Sequence, residues 1–149
     1  MTTRKTVVVL NGPNLNLLGR REPAVYGAHT LDDVRGLCMD TCARHGFDLD
    51  FRQSNHEGVL IDALHEAGAV QAEGRLAGVV LNAGAYTHTS LALRDAIAGA
   101  RVRTIELHIT NVHAREDFRH HSWIAPVVEG VIAGFGIHGY ALAIAALAA

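Results

Sequence analysis

Three stretches of this sequence carry more proton-handling and anion-binding groups than folding alone requires. Glu106-Leu107-His108 sets a carboxylate and an imidazole two residues apart, so on a β-strand both side chains project to one face. A carboxylate beside an imidazole fixes its tautomer and stabilises its cation, which suits a general acid. A hydrogen-bonded strand-end pair with no catalytic task is the plainer alternative. Tyr26 follows Arg20 and Arg21 in a long polar segment. A phenol of pKa about 10 is only ~0.1% ionised at pH 7, which costs roughly 4 kcal/mol if it is to act as a base. A guanidinium about 5 Å away, at an effective dielectric of ~20, returns roughly 3 kcal/mol before desolvation. One or two arginines thus make a phenolate usable, whereas a solvated basic loop tip is the bland reading of the same residues. The third stretch holds Arg115 and Arg119, neighbours at i,i+4 if the segment is helical, and two guanidiniums on one face suit an anionic or polyhydroxylated ligand.

Two further loops add polar groups. Asn82-Ala-Gly-Ala-Tyr-Thr-His88-Thr-Ser90 offers amide, hydroxyl and imidazole, where a helix cap needs only one hydroxyl. Gly12-Pro13 suits a tight turn that aims Asn14 at a ligand, although a plain turn fits equally well. Neither G-x-x-x-x-G-K-[ST] nor a dinucleotide glycine triplet follows the first apolar run. His108, His113, His120 and His121 lack a ligand spacing such as H-E-x-x-H, so no metal is expected. Cys38 and Cys42 have no second pair and read as small buried hydrophobes.

Parallel-sheet architecture is what positions these groups. Short β-branched runs at 6–10, 47–52, 78–82, 103–108 and 127–133 alternate with helical patterns, the signature of βαβ units, and most are apolar enough to be covered on both faces. Helices are predicted from a Thr30 cap to Gly46, from near Asn55 with Val59, Ile61, Leu64 and Ala67 facing the sheet, over 90–100, and over 139–149. The segment 115–121 reads as a short polar turn or helix. Ligands of such sheets bind beyond the carboxyl ends of the strands. That rule selects the loops 11–29, 53–56, 82–90 and 109–122, which hold most of the Asn, His and Arg; the first is long enough to be a lid.

The chain has 149 residues, 49% hydrophobic and 19% charged, which fits one globular domain, 1–149. A formal charge of -2 excludes affinity built on neutralising nucleic-acid phosphates. Apolar runs are too short for a membrane span, and with reduced cysteines and no address the expected location is cytoplasmic.

Leu10-Asn-Gly-Pro-Asn-Leu-Asn-Leu-Leu-Gly19, Arg21-Glu-Pro with Tyr26-Gly27, Gln53-Ser-Asn-His-Glu-Gly58, Asn82-Ala-Gly with Thr87-His-Thr-Ser90, Glu106-Leu-His108, and Asn111-Val-His-Ala-Arg-Glu116 fall in one order along nearly the whole chain. In these blocks the sequence resembles type II 3-dehydroquinate dehydratases, small lyases of the shikimate pathway. The resemblance implies a flavodoxin-like α/β fold, a three-layer sandwich around a five-stranded parallel sheet of order 2-1-3-4-5. It implies trans-dehydration of 3-dehydroquinate to 3-dehydroshikimate through an enolate, the third step toward chorismate and aromatic amino acids, with no cofactor or metal. Carried over by position, Tyr26 is the base, Arg21 on a mobile lid helps ionise it with Arg115 nearby, and Asn14 holds a water that stabilises the enolate. His108, oriented by Glu106, protonates the leaving hydroxyl, the amides of Ile109 and Thr110 hold the substrate carboxylate, and Asn82, His88 and Arg119 bind its hydroxyls. Thr110 stands where serine is frequent, and keeps both hydroxyl and amide. The resemblance also implies a homododecamer, a tetramer of trimers, in which Asp95 reaches a neighbour's site.

Three alternatives stand beside this reading. A quinate-catabolic dehydroquinase would share the reaction. A non-enzymatic flavodoxin-like module such as a phospho-acceptor receiver would need acidic residues where Asn11 and Asn82 stand. A metal hydrolase built on the histidines would be inactivated by a chelator.

Overall fold

The computed structural model describes residues 4–149. Five parallel strands, β1 (Thr6–Asn11), β2 (Asp48–Gln53), β3 (Leu76–Asn82), β4 (Thr104–His108) and β5 (Gly130–Ala133), form one sheet in the order β2-β1-β3-β4-β5. Alternation along β1 shows how the sheet divides the interior. Val7 and Val9 join Val34, Cys38 and Cys42 of α2 (Leu31–His45) and Ala143, Ile144 and Leu147 of α5 (His138–Ala148). Val8 and Leu10 join Leu60, Ala63, Leu64 and Ala67 of α3 (Glu57–Ala72) and Leu93, Ala96 and Ile97 of α4 (Leu91–Ala100). Helices thus cover both faces, as the apolar strands predict, in the three-layer flavodoxin-like arrangement that the resemblance implies.

Local chemistry sets the boundaries. The Thr30 hydroxyl accepts from the Asp33 amide (3.2 Å) while Asp33 accepts from the Thr30 amide (2.9 Å), a reciprocal cap that starts α2. Gly46, at φ 75°, ends it in the left-handed conformation. Ser90 caps α4 through the Leu93 amide (2.9 Å). Between β1 and α2 the long first loop contains a 3-10 turn at Leu15–Leu17 and a one-turn helix, α1 (Pro23–Tyr26).

Three expectations are corrected. The last strand starts at Gly130, not 127, because Pro126 lies in a 3-10 turn over Ala125–Val127 and cannot donate to a ladder. On α3, which begins at Glu57, Leu60 is buried and Val59 is 49% exposed. The apolar run Val59-Leu60-Ile61 permits several helical phases, and the sheet takes the one that buries Leu60, Ala63, Leu64 and Ala67. Of the turn and the helix expected over 115–121, the turn forms, and it is the helical pairing that fails. Two 3-10 turns, Val112–Ala114 and Asp117–Arg119, flank an extended Arg115, so Arg115 and Arg119 are not i,i+4 helical neighbours.

Cys38 and Cys42 are buried in the first core cluster, where desolvation pushes their thiols up to about 12 and about 11. Among the described residues, no helix is long and apolar enough to cross a membrane, and no group of three or more His, Cys, Asp or Glu converges to hold a metal ion.

Candidate active site

One polar cleft lies beyond the carboxyl ends of β1, β3 and β4. It is lined by Pro13, Asn14 and Leu15 at the end of β1, Arg21 and Tyr26 from the first loop, and Asn82, Gly84, Ala85 and His88 after β3. His108, Ile109, Thr110, Val112, Arg115 and Arg119 complete it from the end of β4 and the following turns. About 560 Å³ of space within it is free of protein atoms, including solvent at its mouth.

The walls are tied together by short backbone approaches. The Gly12 amide donates to the Asn82 carbonyl (2.7 Å), and a Cβ on Gly12 would stand 2.4 Å from the Ala83 carbonyl oxygen. Only glycine lets the ends of β1 and β3 meet so closely. Asn14 sits at φ 68°, with its amide donating to Oδ1 of Asn55 (3.0 Å). Gln53 supports this turn from β2 by donating to the Gly12 carbonyl (3.1 Å) and to Asn55 Oδ1 (3.1 Å).

On β4, Glu106 and His108 face the same way, as the two-residue period requires. Nε2 of His108 lies 2.6 Å from Oε2 of Glu106, and the two side chains are 2% and 6% exposed. A carboxylate accepts, so Nε2 carries the hydrogen in this pair. Nδ1 is the atom left for the cleft. Beyond the strand, the His108 and Ile109 carbonyls accept from the Gly134 (3.3 Å) and Gly136 (3.0 Å) amides, which pins the turn bearing Ile109 and Thr110.

Tyr26 meets this wall from the opposite end of the sequence. Nη1 of Arg115 donates to its hydroxyl oxygen (2.8 Å), and the Arg115 guanidinium carbon lies 5.2 Å from the ring centre. The Arg21 guanidinium carbon lies over the same ring at 5.0 Å. Arg115 therefore holds the phenolic oxygen, while Arg21 contacts the ring face; Arg20 is exposed and does not line the cleft. Glu116 pairs with Arg119 and lies 4.0 Å from Arg115, and those two arginines hold its carboxyl below the usual range.

His88 stacks on His108, with ring centres 6.2 Å apart and planes inclined by 18°. Its Nδ1 lies 2.8 Å from the His121 carbonyl oxygen, so that nitrogen is the donor and Nε2 is left as an acceptor. Burial, with help from His108 and Arg119, pushes the His88 imidazole below its ordinary value and keeps it neutral.

Thus Tyr26, Arg21, Asn14, His108, Asn82, His88, Ile109, Thr110, Arg115 and Arg119 come together in the cleft, and Glu106 stands behind His108. Asp95 does not reach it; it is exposed on α4. Three supporting residues escaped the sequence reading. Ser122 donates to Glu106, Asn55 accepts from the Asn14 amide, and Tyr140 donates to Asn11 (2.7 Å) and accepts from Asn82 (2.9 Å). Ser122 and Asn55 fall within or beside the polar loops, but Tyr140 gives only the signal of a polar tip in an apolar helix.

Fold and cleft define a flavodoxin-like α/β protein with its polar groups gathered at the strand carboxyl ends. The model of the family described as "Dehydroquinase class II" matches residues 5–148. The chain is 67% identical over 144 residues to the 3-dehydroquinate dehydratase of Acidovorax sp. (strain JS42), covering 97% of each. It is 64% identical over 143 residues to that of Variovorax paradoxus (strain S110), covering 96% of this chain and 98% of the relative. The crystal structure of type II dehydroquinase from Butyrivibrio crossotus DSM 2876 superimposes with a TM-score of 0.93 at 41% identity, covering 99% of this chain and all of that one. The chain belongs to the class II dehydroquinase family.

Proposed function

We propose that this protein, as a single catalytic domain over 1–149, converts 3-dehydroquinate to 3-dehydroshikimate and water. The observation that carries the assignment of roles is the pairing within one cleft of a phenol on Arg115 and an imidazole on Glu106. The C2 hydrogen lies beside the C3 ketone, so its removal leaves an enolate. Tyr26, as phenolate beside the Arg115 and Arg21 charges, takes that proton. Asn14, through a bound water, stabilises the enolate oxygen, since a positioned donor is worth most where charge develops. The enolate then re-forms the ketone and makes the C1–C2 double bond as the C1 hydroxyl leaves. Nδ1 of His108 gives that hydroxyl its proton, and Glu106 carries the compensating charge. A proton returned from Tyr26 to His108 resets the site.

The substrate carboxylate fits the Ile109 and Thr110 amides. Its hydroxyls fit the Nε2 acceptor of His88, the second amide hydrogen of Asn82, and Arg119. No cofactor or metal enters these steps. In the proposed homododecamer, a tetramer of trimers, Asp95 reaches a neighbour's site, which its exposure on α4 supports. The natural setting is aromatic biosynthesis in the cytoplasm; quinate breakdown uses the same reaction.

Ultraviolet detection of the conjugated enone from 3-dehydroquinate tests the reaction, with equal rates expected with and without chelator. Tyr26→Phe is expected to lose at least about a thousandfold in kcat with substrate still bound. Near-normal turnover by that variant would remove Tyr26 as the base.

A further inference from the structure

Behind His108, the Glu106 carboxylate has a second partner. The Ser122 hydroxyl donates to Oε1 of Glu106 (2.8 Å) and accepts from the Ala125 amide (3.0 Å). That amide engages a lone pair of Oγ and so directs its one hydrogen to the carboxylate. Glu106 is 2% exposed, and among the described residues its side-chain partners are His108, on Oε2, and Ser122, on Oε1. No arginine of the cleft bonds to it. A buried carboxylate with one oxygen on an imidazole and the other on a hydroxyl is fixed in orientation by both bonds.

We infer that Ser122 is a positioning residue for the dehydration: it keeps Glu106 anionic and aimed at Nε2, so that His108 delivers its proton from Nδ1 as an imidazolium. This rests on the reading of His108 as the acid. The groups facing the pair are His88, stacked on His108, together with Arg21, Tyr26, Arg115 and Arg119 around the same cleft. His88 contacts the pair directly, and the others line the cleft on its substrate side. Ser122 alone acts from behind, through the oxygen that His108 does not use.

The consequence follows from which protonation state the hydroxyl favours. Its bond stabilises the anionic form of the Glu106–His108 pair, so its removal raises the affinity of the pair for a proton. That proton also moves toward Glu106. A glutamic acid beside a neutral imidazole then replaces a carboxylate beside an imidazolium, and the neutral Nδ1–H is a far weaker acid. Turnover falls while the pair stays protonated to higher pH, a combination that general loosening does not produce.

The test is the pH profile of kcat and KM for 3-dehydroquinate with wild type, Ser122→Ala, Ser122→Cys and Ser122→Thr. Ser122→Ala is expected to lower kcat about tenfold with KM within about twofold. The alkaline limb of its kcat profile should move up by about half to one pH unit while the acid limb stays in place. Ser122→Cys keeps the shape with a weaker donor and should shift the same limb less far, which reads the effect even if the alanine variant does not assemble. Ser122→Thr keeps the hydroxyl and should keep the wild-type limb. An unmoved limb in the alanine and cysteine variants, or a threonine variant shifted as far as alanine, overturns the role of Ser122. A wild-type protein that forms no enone overturns the proposed reaction itself, and the Ser122 inference with it.

Discussion

The two halves of the proposed proton relay are built in different ways. His108 ends a buried strand, with Glu106 behind it and Ser122 behind that, all fixed by bonds to interior groups. Tyr26 ends α1, a four-residue helix with no buried residue, entered through Glu22 at φ 41°, a conformation that disfavours most side chains. What holds its hydroxyl is Arg115, from a turn 89 residues away. A group that must give up a proton to a bound leaving group gains from rigidity. A group that must reach a carbon only after substrate enters can sit on a segment of low local stability, because closure supplies the missing contacts. On the proposed mechanism the acid side is pre-organised and the base side is completed on binding.

The largest effects that sharpen this contrast come from the two arginines on Tyr26. Both Arg115→Ala and Arg21→Ala are expected to lower kcat about a hundredfold, since each removes a charge that favours the phenolate. They should differ in where the acid limb of the pH profile moves. Arg115 bonds directly to the hydroxyl, so its loss should raise that limb in kcat/KM, which reports the free enzyme. Arg21, lying over the ring at 5.0 Å on the proposed lid, should act chiefly on the limb of kcat, which reports the complex. Equal shifts in both parameters for both variants would erase the distinction between a fixed and a closing arginine.

A smaller effect tests the rigid side from beneath. Tyr140 is fully buried, and burial raises its phenol well above the ordinary value, so it acts as a neutral bridge between Asn11 and Asn82. Tyr140→Phe would leave the Asn11 oxygen without its donor and the Asn82 nitrogen without its acceptor. At about 1–3 kcal/mol for each of the two orphaned groups, stability should fall by about 2–6 kcal/mol. Thermal unfolding should drop by roughly 6–18 °C. KM should rise several-fold as the Asn82 amide loses its fixed orientation, with kcat nearly kept. A fall in kcat at constant KM would mean that this bridge serves the acid rather than substrate binding.

Local pattern made most of the fold legible. The runs in β1 and β3 are short and continuously apolar, as strands covered on both faces must be, and Thr30 and Gly46 mark both ends of α2 by cap chemistry alone. Legibility failed where one residue in the chain competes with a neighbour. Val59 and Leu60 are equally apolar, so only the sheet decides which is buried; Val127 and Val128 look like strand, but Val127 lies with Pro126 in a 3-10 turn and the ladder begins only at Gly130. Of the loops that the strand-end rule selects, 11–29, 82–90 and 109–122 line the cleft while 53–56 only supports it, and the spacing of Glu106 and His108 fixes their common face. What stayed hidden were supports made across long separations. Ser122 reaches 16 residues back, Asn55 reaches 41 and Tyr140 reaches 129, and no local signal announces such a bond. Family resemblance puts Arg115 near Tyr26, yet its direct bond to the phenol depends on an extended backbone at that residue rather than the helix its spacing allows.

The smallest effect probes the seam between the two sides, at His88. Its Nδ1–H is committed to the His121 carbonyl, so it receives a substrate hydroxyl through Nε2 only while neutral. Burial, His108 and Arg119 lower its proton affinity, and the His121 carbonyl and Glu106 oppose them more weakly. The sign is therefore fixed. Because the folded value lies below the ordinary 6.5, the neutral form survives as pH falls through that value. Its contribution to stability is present above the unfolded value and lost below it, as the unfolded chain takes up the proton first. KM should stay flat between about pH 8 and pH 6.5, where an ordinary histidine would already be half protonated and would roughly double it. It should rise only on further acidification, and His88→Phe should show a higher KM without that rise. A KM that doubles by about pH 6.5 in the wild type would mean that His88 is solvated like an exposed residue. The stacked wall of His88 and His108 would then belong with the mobile side of the cleft rather than the fixed one.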